Sequence, residues 1–128
     1  KKVVSKDITN AIGVSVGYTA LNLDLHTIVT YTELGKTARL ISKYRPNAAI
    51  LAVTPSAKVA RGLSLVWGVD AQISEQAKST DEMLVTAAKI AKSSGYAKEG
   101  DAIVITGGIN TSVSNAGTTN FLKVSVID

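Results

Sequence analysis

The hydrophobic positions of this chain follow two different spacings. In four segments apolar residues recur every three or four positions, the spacing of one face of a helix. These predicted helices cover residues 7–25, 37–44, 56–66 and 79–94. Five other segments are short runs of aliphatic and β-branched residues, which are typical of strands. The predicted strands cover residues 26–31, 48–54, 69–74, 101–107 and 121–127.

The order of these elements predicts an α/β fold. Strands that alternate with helices along a chain usually pair in parallel in one sheet. Residues 48–54 are almost continuously apolar, as expected for a strand buried on both faces. The last strand follows a loop at residues 107–120 instead of a helix, so we expect it to run antiparallel. The prediction is a single domain over residues 1–128, a three-layer α/β/α open sheet of five strands, four parallel and the last antiparallel.

Local signals support the predicted helices. Residues 79–82 have the sequence Ser-Thr-Asp-Glu, which matches the capping box that starts many helices, and Gly95 is suited to end the same helix. Asp7 is placed to cap the first helix. Gly13 and Gly17 lie four residues apart on one face of that helix, which allows the close approach of another backbone and indicates packing within the protein, not a membrane dimer motif.

Composition limits the possible functions. Hydrophobic residues make up 45% of the 128 positions and aromatic residues only 5%, so the core must be mainly aliphatic. The sequence has no cysteine, which excludes disulfides, thiolate metal sites and a cysteine nucleophile, and agrees with a cytoplasmic location. No apolar run is long enough to predict a membrane span. The net charge of +4 comes from scattered lysines, so we expect no nucleic-acid partner.

The stretch TELGKTARL at residues 32–40 contains the Gly-Lys-Thr that ends many phosphate-binding loops. A P-loop requires a glycine at position 30, where this chain has Thr30, so the motif is incomplete. The stretch still joins a strand to a helix, which places backbone N–H groups and Lys36 at a positive helix end. The sequence allows two interpretations: a binding site for a phosphate monoester, or an ordinary turn with Thr37 as the N-cap.

The loop at residues 107–120 is a second candidate. It is rich in Gly, Ser, Thr and Asn, which leaves many donors available to an anion. The topology predicts that it lies at the same edge of the sheet as residues 32–37, where the two loops could hold a phosphate together. The alternative is a plain surface loop.

Candidates for catalysis are few. His26 is the only histidine, and no G-x-S-x-G motif or metal-ligand spacing accompanies it. We therefore expect His26 to be a structural or surface residue. The pattern favours a binding module over an active site.

Several longer stretches are familiar. The run GKTARLISKYRP, followed in order by ARGLSLVWGV, STDEML, GDAIVITGG and GTTNFLKV, resembles the C-terminal domain of bacterial pyruvate kinases over residues 7–127. The resemblance implies a regulatory and oligomerisation domain that contains no catalytic residues and no cofactor. In that family phosphoenolpyruvate, ADP, Mg²⁺ and K⁺ bind to a separate TIM barrel, and the enzyme is a tetramer.

The resemblance also implies an effector site built from two loops. The first loop corresponds to Thr32, Glu33, Leu34, Gly35, Lys36 and Thr37. The second corresponds to residues 108–119, in which we expect contacts from Gly108, Ser114, Gly117 and Thr118. Members that bind fructose 1,6-bisphosphate often have a basic residue where Glu33 stands, and some have Trp and Arg where this chain has Gln76 and Met83. A phosphorylated small-molecule effector with one phosphate, a sugar monophosphate or AMP, is therefore the preferred expectation.

Two further expectations concern assembly and extent. We expect self-association as a dimer through the last strand, residues 121–127, or through the first helix. The opening Lys-Lys-Val-Val without a methionine suggests a fragment of a larger enzyme. The alternative to the regulatory domain is a stand-alone phosphate-binding protein or a small phosphotransferase or phosphatase.

Overall fold

The computed structural model describes residues 2–108, 119 and 121–128. The helices are α1 (Ser5–Asn22), α2 (Lys36–Lys43), α3 (Ala57–Leu63) and α4 (Thr80–Ser93). The strands are β1 (Thr27–Tyr31), β2 (Ala49–Thr54), β3 (Val69–Ile73), β4 (Ala102–Gly107) and β5 (Phe121–Val126). Every predicted helix and strand is present. None of the helices described is long and apolar enough to cross a membrane.

The five strands form one sheet in the order β3-β2-β1-β4-β5. β1 lies in the centre and pairs in parallel with both β2 and β4, and β2 pairs in parallel with β3. β5 pairs with β4 in the antiparallel direction. The predicted fold, four parallel strands followed by an antiparallel one, is confirmed.

The core lies on both faces of the sheet because the inner strands are buried on both sides. On one face α4 places Ala87 and Ala91 against Val29, Leu51 and Ile105. On the other face Val16 of α1 and Ile41 of α2 pack against the central strands, and Leu63 of α3 packs beside them. Each fully buried Leu, Ile or Val side chain contributes about 1.5–3 kcal/mol relative to an exposed one. The aliphatic composition thus forms the two apolar layers that the strand pattern predicts.

The start of α1 differs from the prediction. The helix begins at Ser5, with Val4 in the N-cap position, so the assignment of Asp7 as the cap residue is wrong. Asp7 lies in the first turn instead, and its carboxylate accepts a hydrogen bond from the Val4 N–H at 3.4 Å. A carboxylate in the first turn satisfies an N–H group and opposes the positive end of the helix dipole. The Asp7 carboxylate therefore stabilises the start of the helix from its first turn instead of from the N-cap position.

The two glycines of α1 have different surroundings. A Cβ on Gly13 would lie 2.6 Å from Cδ2 of Leu40, so the absence of a side chain there lets α1 pack against α2. A Cβ on Gly17 would meet no heavy atom within 4 Å. The predicted packing is therefore present at Gly13, against a side chain of α2, and absent at Gly17, which has open space beside it.

Threonines form a buried polar layer towards the carboxyl ends of the central strands. Thr30 of β1 and Thr106 of β4 are neighbours across the sheet, and both are fully buried. The Thr106 hydroxyl donates to the Phe121 carbonyl at 2.7 Å. Among the described residues, the Thr30 hydroxyl has no hydrogen-bond partner. Burying a hydroxyl without a partner is destabilising.

Replacing Thr30 with valine is expected to raise the free energy of unfolding by about 1 kcal/mol, because it removes a desolvated hydroxyl and preserves the shape. Thr106→Val is the matched control, and it should lower the same quantity by about 1 kcal/mol because the bond to Phe121 is lost. Urea unfolding followed by circular dichroism measures both values. Equal destabilisation by the two variants would contradict the assignment of Thr30 as unpaired.

Candidate ligand-binding cleft

The turn between β1 and α2 is held by one hydrogen bond within the turn and by another to β2. The Gly35 N–H donates to Oγ1 of Thr32 at 2.7 Å, and the Thr32 N–H donates to the Val53 carbonyl at 2.9 Å. Gly35 is the N-cap of α2 and has a φ of 86°, which an L side chain rarely adopts. A Cβ there would also lie 3.3 Å from atoms of both Leu63 and Val59. Glycine is therefore required at this position by conformation and by packing.

This geometry corrects one of the two interpretations of the Gly-Lys-Thr stretch. Thr37 is not the N-cap of α2, because Gly35 occupies that position and Thr37 lies inside the first turn. The Thr37 hydroxyl is buried and contacts the hydroxyl of Thr119. The first-turn N–H groups of α2, beginning at Lys36, have no acceptor within the helix and form its positive end.

A cleft with a volume of about 110 Å³ lies at the carboxyl edge of the sheet. It is lined by Tyr31 and Thr32 at the end of β1, and by Val53 and Thr54 at the end of β2. Residues 74–79, which connect β3 to α4, form another wall. In open α/β sheets this edge is the usual place for a ligand.

Charged groups of both signs line the cleft. Glu33 comes from the first loop, and Glu75 and Lys78 come from the connection between β3 and α4. The Gln76 side-chain amide donates to Oε1 of Glu33 at 3.3 Å, which joins the two walls. Among the residues that the structure describes, a ligand in this cleft would therefore meet two carboxylates, one ammonium group and one side-chain amide.

The structure brings together part of the predicted effector site. Thr32, Glu33 and Gly108 line the cleft, together with Thr119. The other first-loop residues form the turn and the start of α2: Leu34, Gly35, Lys36 and Thr37. Ser114, Gly117 and Thr118 lie outside the described residues. Both loops thus contribute to one cleft, and the effector contacts assigned to individual residues stay predictions.

Several residues of the cleft were missed by the sequence reasoning. The sequence analysis assigned no role in binding to Thr54, Glu75 or Lys78, which line it. Gln76 and Met83 also line it, at positions that the resemblance had linked to effector contacts in some family members. The capping residue Ser79 was a usable signal, since its Oγ accepts from the Glu82 N–H at 3.1 Å and fixes the start of α4 beside the cleft. The missing information was the strand order, which places the end of β3 near the end of β1.

His26, the only histidine, lies at the other end of β1. Its side chain is exposed, and Nε2 is 4.0 Å from the carboxylate of Asp24. Within the described part of the chain, no three His, Cys, Asp or Glu residues cluster closely enough to hold a metal ion.

Tyr31 lines the cleft and is hydrogen-bonded to α4. Its hydroxyl donates to the Met83 carbonyl at 2.9 Å. Burial raises the pKa of Tyr31 to about 12, the Glu82 carboxylate adds to the increase, and a hydrogen bond with Thr86 opposes it. The hydroxyl therefore keeps its proton throughout the neutral range and holds α4 at a fixed position over β1.

The comparisons with known proteins agree with this fold. The family described as "Pyruvate kinase, alpha/beta domain" matches residues 10–125. The chain belongs to this family. The family assignment made from the sequence is therefore confirmed.

The relatives of this pyruvate kinase domain are much longer than the chain. Pyruvate kinase of Bacillus licheniformis is 54% identical over 126 residues, which are 98% of this chain and 21% of that protein. Pyruvate kinase of Staphylococcus aureus strain USA300 is 48% identical, with the same coverage. The chain thus spans about a fifth of the length of these curated relatives.

A solved structure shows the same fold. The Cryptosporidium parvum pyruvate kinase in complex with ADP superposes with a TM-score of 0.83 and 30% identity, over all of this chain and 25% of that one. The whole chain therefore corresponds to a part of a larger kinase structure.

The free energy of unfolding of the wild type is expected to fall between pH 10 and pH 12 as Tyr31 ionises in the unfolded chain. In the Tyr31→Phe variant this fall should be smaller. The tyrosine pKa is raised from 10.0 to about 12 in the folded chain, so its neutral form stabilises the fold fully below pH 10. That contribution is lost as the pH rises through 12. Urea unfolding at several pH values measures the difference between variant and wild type, and exposed Tyr44→Phe is the control. A difference between Tyr31→Phe and wild type that is constant from pH 8 to pH 12 would contradict the pKa assignment.

Proposed function

We propose that this chain is a regulatory and oligomerisation domain of a cytoplasmic pyruvate kinase, and that it binds a phosphorylated small-molecule effector. The transfer of phosphate from phosphoenolpyruvate to ADP, with Mg²⁺ and K⁺, is assigned to another part of the parent enzyme. On this proposal the chain alone is inactive. The observation that supports effector binding most directly is the cleft, because Thr32, Gly108 and Thr119 line it from two loops that are distant in sequence.

The phosphate is proposed to bind where the first loop enters α2. The first-turn N–H groups of α2 point to this side, and the helix dipole favours an anion there by about 0.3–1 kcal/mol. Lys36 begins the helix and is exposed, so its ammonium group is available to a ligand. The neighbouring cleft then receives the rest of the molecule.

The charges of the cleft favour one phosphate over two. Glu33 and Glu75 carry two negative charges and Lys78 one positive charge. A second phosphate in the cleft would be placed near Glu33, and like charges in contact at a binding site cost several kcal/mol. Hydroxyl groups, in contrast, are good donors to a carboxylate. A sugar monophosphate or AMP fits this chemistry better than a bisphosphate.

Isothermal titration of the chain with AMP, a pentose 5-phosphate and fructose 1,6-bisphosphate tests this proposal. The monophosphates are expected to bind, and the bisphosphate to bind at least tenfold more weakly. The Glu33→Lys variant should improve bisphosphate affinity by about tenfold or more, since it replaces a like charge with an opposite one. Glu99→Lys makes the same charge change at an exposed site outside the cleft and should have little effect. No heat with any of these ligands would overturn the effector proposal.

Self-association is proposed because apolar side chains remain uncovered on two neighbouring elements. Val14, Tyr18 and Leu21 recur at helical spacing on α1 and are 47%, 65% and 74% exposed. On β5, which is an edge strand, Val126 is 60% exposed. α1 packs against β5, so the two surfaces are adjacent. A second copy of the chain would cover the helix face, the strand edge or both.

Sedimentation velocity can distinguish the two surfaces. Val126→Asp and Tyr18→Asp each place a carboxylate on one of them, and the variant at the true interface should weaken the dimer by about tenfold or more. Leu65→Asp is the matched control, since Leu65 is 92% exposed and lies in neither α1 nor β5. A wild-type chain that sediments solely as a monomer at high concentration would contradict the proposed dimer.

A further inference from the structure

Thr119 makes contacts with two other segments of the chain. Its hydroxyl contacts the hydroxyl of Thr37 in the first turn of α2. Its backbone N–H donates to Oγ1 of Thr9 in α1 at 3.3 Å. One residue therefore connects the end of the second loop to the first-loop helix and to the amino-terminal half of α1.

Burial makes these contacts hard to exchange for water. Thr37 is 1% exposed and Thr119 is 3% exposed. A hydroxyl that leaves a buried partner without reaching solvent is left unsatisfied, which destabilises the fold. A displacement of the Thr37 side chain therefore favours a matching displacement of Thr119, and through its N–H a change at Thr9.

The same residues are adjacent to the proposed ligand. Thr119 lines the cleft, and Thr37 follows Lys36 in the helix turn to which the phosphate is assigned. Thr9 belongs to the helix whose outer face includes the exposed Tyr18 and Leu21. The three threonines thus lie between a cleft and a surface that have separate proposed roles.

We propose that Thr119 couples occupancy of the cleft to the docking of α1, so that an anion bound near Lys36 tightens the amino-terminal half of this helix. The link to the ligand rests on the proposed effector function, whereas the coupling among the threonines is a property of the chain without ligand. By linkage, a change in α1 docking alters anion affinity by the same factor.

α1 and α2 are connected by a second contact, which does not pass through Thr119. α1 also contacts α2 directly, where the Leu40 side chain lies against Gly13. That contact does not involve Thr119. If Thr37 acts through Thr119, replacing both threonines should have no greater effect on α1 than replacing one.

Hydrogen exchange of the α1 amides at residues 5–13 tests the coupling in the ligand-free chain. Thr37→Val and Thr119→Val are each expected to speed this exchange about fivefold relative to the amides of β1 and β2, and the double variant should match the single ones. Thr27→Val is the control, because the buried Thr27 hydroxyl donates to the Tyr96 carbonyl at 2.7 Å at the other end of β1. It should leave the ratio of α1 to strand exchange unchanged.

Two results would overturn the coupling. The first is a Thr37→Val variant in which the exchange rate of the α1 amides, relative to that of the β1 and β2 amides, is unchanged. The second is a double variant whose increase in this relative rate is the product of the two single increases. Inorganic phosphate is the probe for the ligand: it should slow α1 exchange in the wild type and not in Thr119→Val. If phosphate protects no amide while the variants behave as expected, the coupling is supported and the effector proposal fails.

Discussion

The burial of β1 on both faces is the constraint on which the rest of this structure depends. Val29 faces α4 and Ile28 faces α1 and α2, so helices must cover the strand on both sides. β1 also pairs with β2 and β4, both in parallel. Parallel pairing on both sides places the carboxyl ends of three strands at one edge of the sheet. The first loop, the second loop and the connection to α4 can line one cleft because of this arrangement.

Much of the fold was predictable because its signals are local. The almost continuously apolar run before Pro55 favoured a buried strand, and the Ser79 capping box predicted the start of α4 within one residue. The start of α1 was less predictable, since Val4 offers no capping side chain and Asp7 acts from within the first turn. The spacing of the glycines indicated packing at Gly13, but the contacting residue was not predictable, because Leu40 lies in another helix.

The candidate site was less predictable than the fold because it depends on contacts between distant segments. Residues 32–37 stood out through Gly-Lys-Thr, and the family resemblance gave them a role. The sequence did not indicate that the Gly35 N–H is already bonded to Thr32, which withdraws one donor from a phosphate. Lys78 enters the cleft only because β3 lies on the same side of β1 as β2. That strand order has no local signal.

The central position of β1 also affects the order in which parts of the chain can fold. Ile28 pairs with Ile50, 22 positions later, and with Val104, 76 positions later. Closing the longer loop costs about 1 kcal/mol more in chain entropy if no other contact forms first. The half of the sheet that contains β2 and β3 can therefore form from nearer neighbours, and β4 with β5 completes it. Because the residues that line the cleft come from both halves, the cleft is complete only when β1 has paired with β2 on one side and with β4 on the other.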